Sequence, residues 1–280
     1  ELFFKSTFQQ GQNLDATLAI NTSPKFNIAV SFKGFRSLGK YLSSLSRARQ
    51  FRLSSQYQNY NHRYRLRLHQ TTQSLENQAN GGLTNDSDYF FKNAPNYVNA
   101  DEAGNPILDE NGNEQIVFYD GFLDRNRLDT HLIADNILSG KRYFMEHRYQ
   151  FFPLAKDTTA YKMALGYRAS LENKIYQYTQ SRPGSYFYET YETSSIDDTL
   201  IFNTIENNLF LSYKGKNLGK FNANLYYHNW DYSLGSNEYQ KDTILSTNIK
   251  ASQLAAKVKW EKRVYGINTK FQVYKSLKDK

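Results

Sequence analysis

The sequence predicts an all-β fold, an antiparallel transmembrane β-barrel of about eleven spanning strands with long extracellular loops. Three observations predict it. Apolar residues alternate with polar ones at period two over stretches of about 10–14 residues, longer than the ~5–6 residues usual in globular sheets. Connections alternate between short and long, as the turns and outer loops of such barrels do. Aromatic residues gather near the ends of the apolar faces, as interfacial girdles require.

The strands follow in order at roughly 2–10, 12–22, 25–34, 48–58, 60–71, 141–152, 158–179, 198–214, 220–233, 246–261 and 264–276. In the second, Leu14, Ala16, Leu18 and Ile20 share one face, and in the third Phe26, Ile28, Val30 and Phe32 do the same. The fifth has the cleanest division, with Tyr64, Leu66 and Leu68 opposed by Arg63, Arg65, Arg67 and His69. The seventh groups Tyr161, Met163, Leu165, Tyr167, Ala169 and Leu171 against Lys162, Arg168 and Ser170. Later strands repeat the pattern in Leu209-Leu211-Tyr213, Phe221-Ala223-Leu225-Tyr227, Leu254-Ala256-Val258-Trp260 and Tyr265-Ile267-Phe271-Val273. Proline cannot donate to a sheet ladder, and Pro24, Pro95, Pro106, Pro153 and Pro183 all fall between strands.

Tight links are expected at 22–25, 58–61, 153–157, 215–219 and 262–263, and long ones at 35–47, 72–140, 180–197 and 234–245. The short Gln10-Gly11-Gln12 link falls among the outer loops by parity. Leu128–Ile137 has strand character, but a further span there would move the 180–197 loop to the periplasmic side, so it is assigned to the loop. Belt positions are assigned to Tyr57, Tyr143, Phe151, Tyr213, Trp230, Trp260 and Tyr265.

Composition narrows the function classes. The 280 residues carry 35 Lys and Arg against 27 Asp and Glu, and no cysteine, which excludes disulfides, thiolate metal sites and a cysteine nucleophile. No apolar run approaches the ~20 residues of a membrane helix. No signal peptide is visible, although a chain opening at Glu1 inside a patterned segment leaves room for one upstream. Arginine and lysine rows on the polar faces suit a watery lumen and not a dry sandwich interior. Between Ala16 and Leu75 there are ten Lys or Arg and no Asp or Glu, whereas Glu76–Asp135 has twelve Asp or Glu against Lys92, Arg125 and Arg127.

Several stretches resemble the putative porin family of Bacteroidetes outer membranes: Lys33-Gly34-Phe35-Arg36-Ser37-Leu38-Gly39-Lys40-Tyr41, Asn80-Gly81-Gly82-Leu83-Thr84-Asn85-Asp86-Ser87, Phe122-Leu123-Asp124-Arg125-Asn126-Arg127-Leu128 and Gly140-Lys141-Arg142-Tyr143-Phe144-Met145-Glu146-His147. The resemblance covers roughly residues 25–180, more loosely beyond. It implies a passive outer-membrane channel with no catalytic residues to carry over. Family members are longer than 280 residues and barrels usually end on an aromatic strand residue, so a chain ending Ser276-Leu277-Lys278-Asp279-Lys280 reads as one β-barrel domain, 1–280, forming part of a larger barrel.

Other chemistries fit poorly. Asp101-Ala103-Asn105 and Asp109-Asn111-Asn113 mimic calcium ligands, but from Asp109 the sixth position is Glu114 where an EF-hand needs glycine. Asn111-Gly112 inside Ile107–Val117 reads as a hairpin turn, so no metal or cofactor is assigned. His62, His69, His131, His147 and His228 are scattered without a nucleophile–base spacing, and no phosphate loop occurs, so no enzyme is assigned. Tyr and Arg of Tyr60–Leu68 fall on opposite faces, where a nucleic-acid stacking platform needs them together.

The expectation is therefore a porin-like channel for passive diffusion of small hydrophilic solutes in the outer membrane of a Gram-negative bacterium. Its partners are outer-membrane lipid and, by analogy, a second copy or other outer-membrane proteins. The lumen is expected to be lined by Arg52, Arg63, Arg65, Arg67, His69, Lys162, Arg168 and Lys257, with Asp120, Asp124 and Asp129 of the acidic loop at the mouth. Tyr64, Leu66, Leu68, Leu165, Leu225 and Val258 are expected to face lipid, because Arg or Lys there costs roughly 2–4 kcal/mol each at midplane. A scaffold barrel with a blocked lumen, part of a larger assembly, is the alternative.

Overall fold

The computed structural model describes residues 1–7, 11–39, 41–93, 97–101, 103, 105–117, 128–151, 163–181, 195–215, 218–236, 245–265 and 267–279. Eleven strands form one antiparallel sheet: β1 (Leu2–Thr7), β2 (Gly11–Ser23), β3 (Phe26–Ser37), β4 (Ser46–Gln58), β5 (Tyr64–Ala79), β8 (Ala134–Gln150), β9 (Met163–Gln180), β10 (Ile196–Gly215), β11 (Gly219–Ser236), β12 (Leu245–Val264) and β13 (Ile267–Asp279). Neighbours in sequence are neighbours in the sheet throughout, an up-and-down meander, and β1 and β13 stand at its edges. The excursion between β5 and β8 holds α1 (Asn85–Asn93) and a separate two-stranded ladder, β6 (Tyr97–Val98) with β7 (Ile116–Val117).

The strands number what the alternation predicts, but several run further at the loop end. β5 and β8 keep pairing to Ala79↔Ala134, so their connection spans 80–133 and not 72–140. Leu128–Ile137 is divided accordingly: its last four residues open β8, and Leu83↔Thr130 extends the ladder irregularly beyond. Polar residues on both faces of these extensions hide them from a period-two reading.

The tight turns have local causes. The Ser23 hydroxyl accepts from the Phe26 amide at 3.2 Å in the β2–β3 turn. Asn59 closes β4–β5, its side-chain oxygen accepting from the Tyr64 amide at 3.0 Å. Gly219 opens β11 at φ +74°, where a Cβ would run into the Glu261 carbonyl.

The two faces of the sheet differ in an unusual sense. Among the described residues, every buried one of the main sheet lies on its polar face: Ala134, Gly140, Glu146, Gln150, Ala164, Gly166, Ser170, Gln180, Ile196, Asn208 and Ala255. The opposite face is apolar and open, with Leu209 47% and Leu225 42% exposed. Side chains converge on a concave surface and diverge on a convex one, so the sheet curls with its polar side inward. One recess on that side, of about 640 Å³, is lined from both Ala19 of β2 and Glu206 of β10.

Candidate functional site: the polar wall

Cross-strand register sets the wall. The row through Arg67 runs Asn27, Gln56, Arg67, Glu146, Arg168, Asn208, Tyr226, Ala255 across eight strands. The row below joins Arg65, Arg148, Gly166, Phe210, Asn224 and Lys257. Above lie Ser54, His69, Phe144, Ser170, Glu206 and His228, and then Ser31, Arg52, Thr71, Arg142, Glu172 and Thr204. Directly opposed residues share a face. Arg52, Arg65, Arg67, His69, Arg168 and Lys257 therefore occupy one face, which the six apolar residues predicted to meet lipid do not share.

Arg63 stands in the turn ahead of β5, where its carbonyl accepts from the Gln150 amide at 2.7 Å. Lys162, Asp120 and Asp124 lie outside the described residues. Asp129 is exposed at the base of the acidic connection, its carbonyl accepting from the Thr84 amide at 3.1 Å.

Glu146 decides how much of the basic wall carries free charge. It is only 5% exposed, and each oxygen takes one arginine. Arg67 Nε donates to Oε1 at 3.1 Å, with Nη2 adding a second contact. Arg168 Nε and Nη2 donate to Oε2 at 2.9 and 2.5 Å. Such charge-assisted forks fix geometry as well as charge. Arg168 is further supported by the Phe210 ring, 5.6 Å from its guanidinium carbon. That ring lies over Gly166 on the neighbouring strand, where a Cβ would overlap it.

The row above is different. Arg52 and Arg142 flank Thr71, and neither makes an ion pair among the described residues. Arg142 Nε donates to the Ser170 hydroxyl at 3.2 Å. Glu172 stands directly opposite Arg142, yet its carboxylate pairs with Lys174 at 3.2 Å. Free basic charge thus extends above the Arg63–Arg65–Arg67 run, while Arg65 and Lys257 in the lower row also make no ion pair among the described residues.

Sequence reading missed Glu146, Arg142, Arg148 and Glu172 as wall residues. The signal was present: Arg142, Phe144, Glu146 and Arg148 alternate with Tyr143, Met145, His147 and Tyr149. Trp230 is a correction. It faces the polar side opposite Thr204, its ring 5.6 Å from and nearly parallel to that of His228, and so leaves the lipid-side belt.

The two calcium-like stretches are loop closures. The Asp109 carboxylate accepts from the Asn111 and Asn113 amides at 2.8 and 2.9 Å, around Gly112 at φ +82°. Those amides hold its pKa below the usual aspartate value. Asp101 accepts from the Ala103 and Asn105 amides in the same way, at 2.9 and 2.8 Å.

Comparison with known proteins gives one family: the model described as putative porin matches residues 1–280, the whole chain. No curated protein matches it.

Proposed function

This chain belongs to the putative porin family, and from that premise we propose that it forms the wall of a passive outer-membrane channel for small hydrophilic solutes. The observation that carries this reading is the inverted packing of the sheet, polar and crowded within, apolar and open without. A soluble sheet buries its apolar face; only a lipid solvent makes the reverse arrangement stable. The polar face then lines a watery lumen and the cell envelope's outer membrane surrounds the other.

The wall is basic, so anions are favoured over cations where the passage narrows to within the ~8 Å screening length of physiological salt. The acidic 80–133 connection meets solutes first, at the outer end of β5 and β8. The apparatus is one of passage, with no chemistry on the solute.

Single-channel recording of the complete protein in planar bilayers tests the proposal. The expected record shows discrete steps, with reversal potentials in a salt gradient that indicate anion preference. A properly inserted protein that does not conduct would overturn it and favour a scaffold role.

A further inference from the structure

We propose that Arg52 and Arg142 form a binding subsite for oxyanions, the carboxylate or phosphate group of a passing solute; this rests on the channel reading above. The two arginines sit on either side of Thr71 in one hydrogen-bonded row, two strand spacings or about 10 Å apart at the backbone. Arg52, Thr71 and Arg142 border one recess, with Arg142 held from the β9 side by its bond to Ser170. Both arginines are exposed on the polar face.

Charge accounting favours this pair over Arg67 and Arg168 in the row through Glu146. Arg67 and Arg168 spend their forks on Glu146, and Glu172 is engaged by Lys174. Arg52 and Arg142 keep their charge, and a guanidinium fork matches the paired oxygens of carboxylate or phosphate. The pair borders a recess of about 540 Å³ to which Ser54 and Thr71 add hydroxyl donors and His69 a ring nitrogen. Gly140 deepens the recess by leaving the wall bare between Gln73 and Lys174. Two arginines without ion pairs, two hydroxyls and an open cavity suit an anionic head group, the Glu172 carboxylate that also borders the recess being offset by Lys174. It is open to the lumen, so binding is weak and reversible, as permeation requires.

The test is binding without conduction. The complete protein in detergent micelles is titrated with inorganic phosphate, followed by ³¹P line broadening, and separately with ¹³C-labelled acetate at constant chloride. Wild type is expected to give saturable broadening in at least one arm, and that arm identifies the head group. R52Q/R142Q should weaken it at least tenfold, while R47Q, on the opposite face, should leave it within twofold. R52K/R142K keeps charge but not the fork, and should fall between. Unchanged binding in R52Q/R142Q, or no saturable binding by wild type in either arm, overturns the subsite. A protein that binds but does not conduct overturns the channel and leaves the subsite standing.

Discussion

Glu146 is the residue whose loss changes most. Replacement by Gln leaves Arg67 and Arg168 facing each other across β8 without their shared carboxylate. Breaking a buried pair costs about 3–5 kcal/mol, but both arginines are nearly half exposed and regain water, so a loss of roughly 1–2 kcal/mol is expected for E146Q. Urea unfolding from vesicles measures it, and the same variant should shift reversal potentials toward stronger anion preference because two guanidinium groups are released into the lumen. Gly166→Ala acts through packing: the added methyl displaces the Phe210 ring and with it the support under Arg168. Lowered urea resistance with intact strand content by circular dichroism is the expected outcome. Asp109 gives the loop a pH dependence. Its folded pKa lies below the ordinary aspartate value, so its stabilisation of the Asp109–Asn113 turn is full above that value. Stabilisation is lost as pH falls through the folded pKa. Protection factors of the Asn111 and Asn113 amides, exchange rates relative to an unstructured peptide at the same pH, should fall below about pH 4 in the wild type, and D109N should remove that dependence.

At the scale of a strand, face decides tolerance. Leu209 and Asn224 sit in neighbouring strands, on opposite faces. Leu209→Arg is expected to cost roughly 2–4 kcal/mol in vesicle refolding, and Asn224→Arg close to nothing, since one meets hydrocarbon and the other the polar wall. This difference was legible in the sequence, because alternation assigns faces without knowing neighbours. What alternation could not supply is which residues meet across strands. Glu146 reaches Arg67 through β5 and Arg168 through β9, positions 79 and 22 residues away, and only register brings them together. Trp230 differs for a related reason: residue type near a strand end points to a belt, while the register of β11 turns it inward. The outer ends of β5 and β8 stayed hidden because beyond the bilayer both faces are free to be polar, as in the Arg47–Glu76 pair on the convex side.

For the whole molecule, the apolar band gives the strand tilt. The row through Ala29, the centre of the β3 apolar stretch Phe26–Phe32, reaches β12 at Gln253, whereas the centre of the β12 apolar stretch, Leu254–Trp260, is Lys257. The band slips about four residues over seven pairings; at about 3.3 Å per residue and 4.8 Å per strand it is inclined by roughly 20°. Tilted strands crossing a flat bilayer produce that slip, as barrel closure demands. Its lower rim is aromatic on β3, β4, β5, β8, β10, β11, β12 and β13, with Phe26, Tyr57, Tyr64, Tyr149, Tyr213, Phe221, Trp260 and Phe271, and holds Met163 on β9. On edge strand β13, Lys275 opposite Ala256 and Lys278 opposite Leu254 fall inside the band, and their long stems allow the ammonium groups to reach the interface. The chain has no cysteine, so single-cysteine variants report one position each. Nitroxides attached at 208, 209, 224, 225, 257 and 258 of the complete protein in liposomes test the inverted faces most directly. Oxygen, which partitions into lipid, should relax the labels at 209, 225 and 258 most strongly, while a water-soluble nickel chelate should relax those at 208, 224 and 257. Equal accessibility on both faces, or the reverse pattern, would contradict the account.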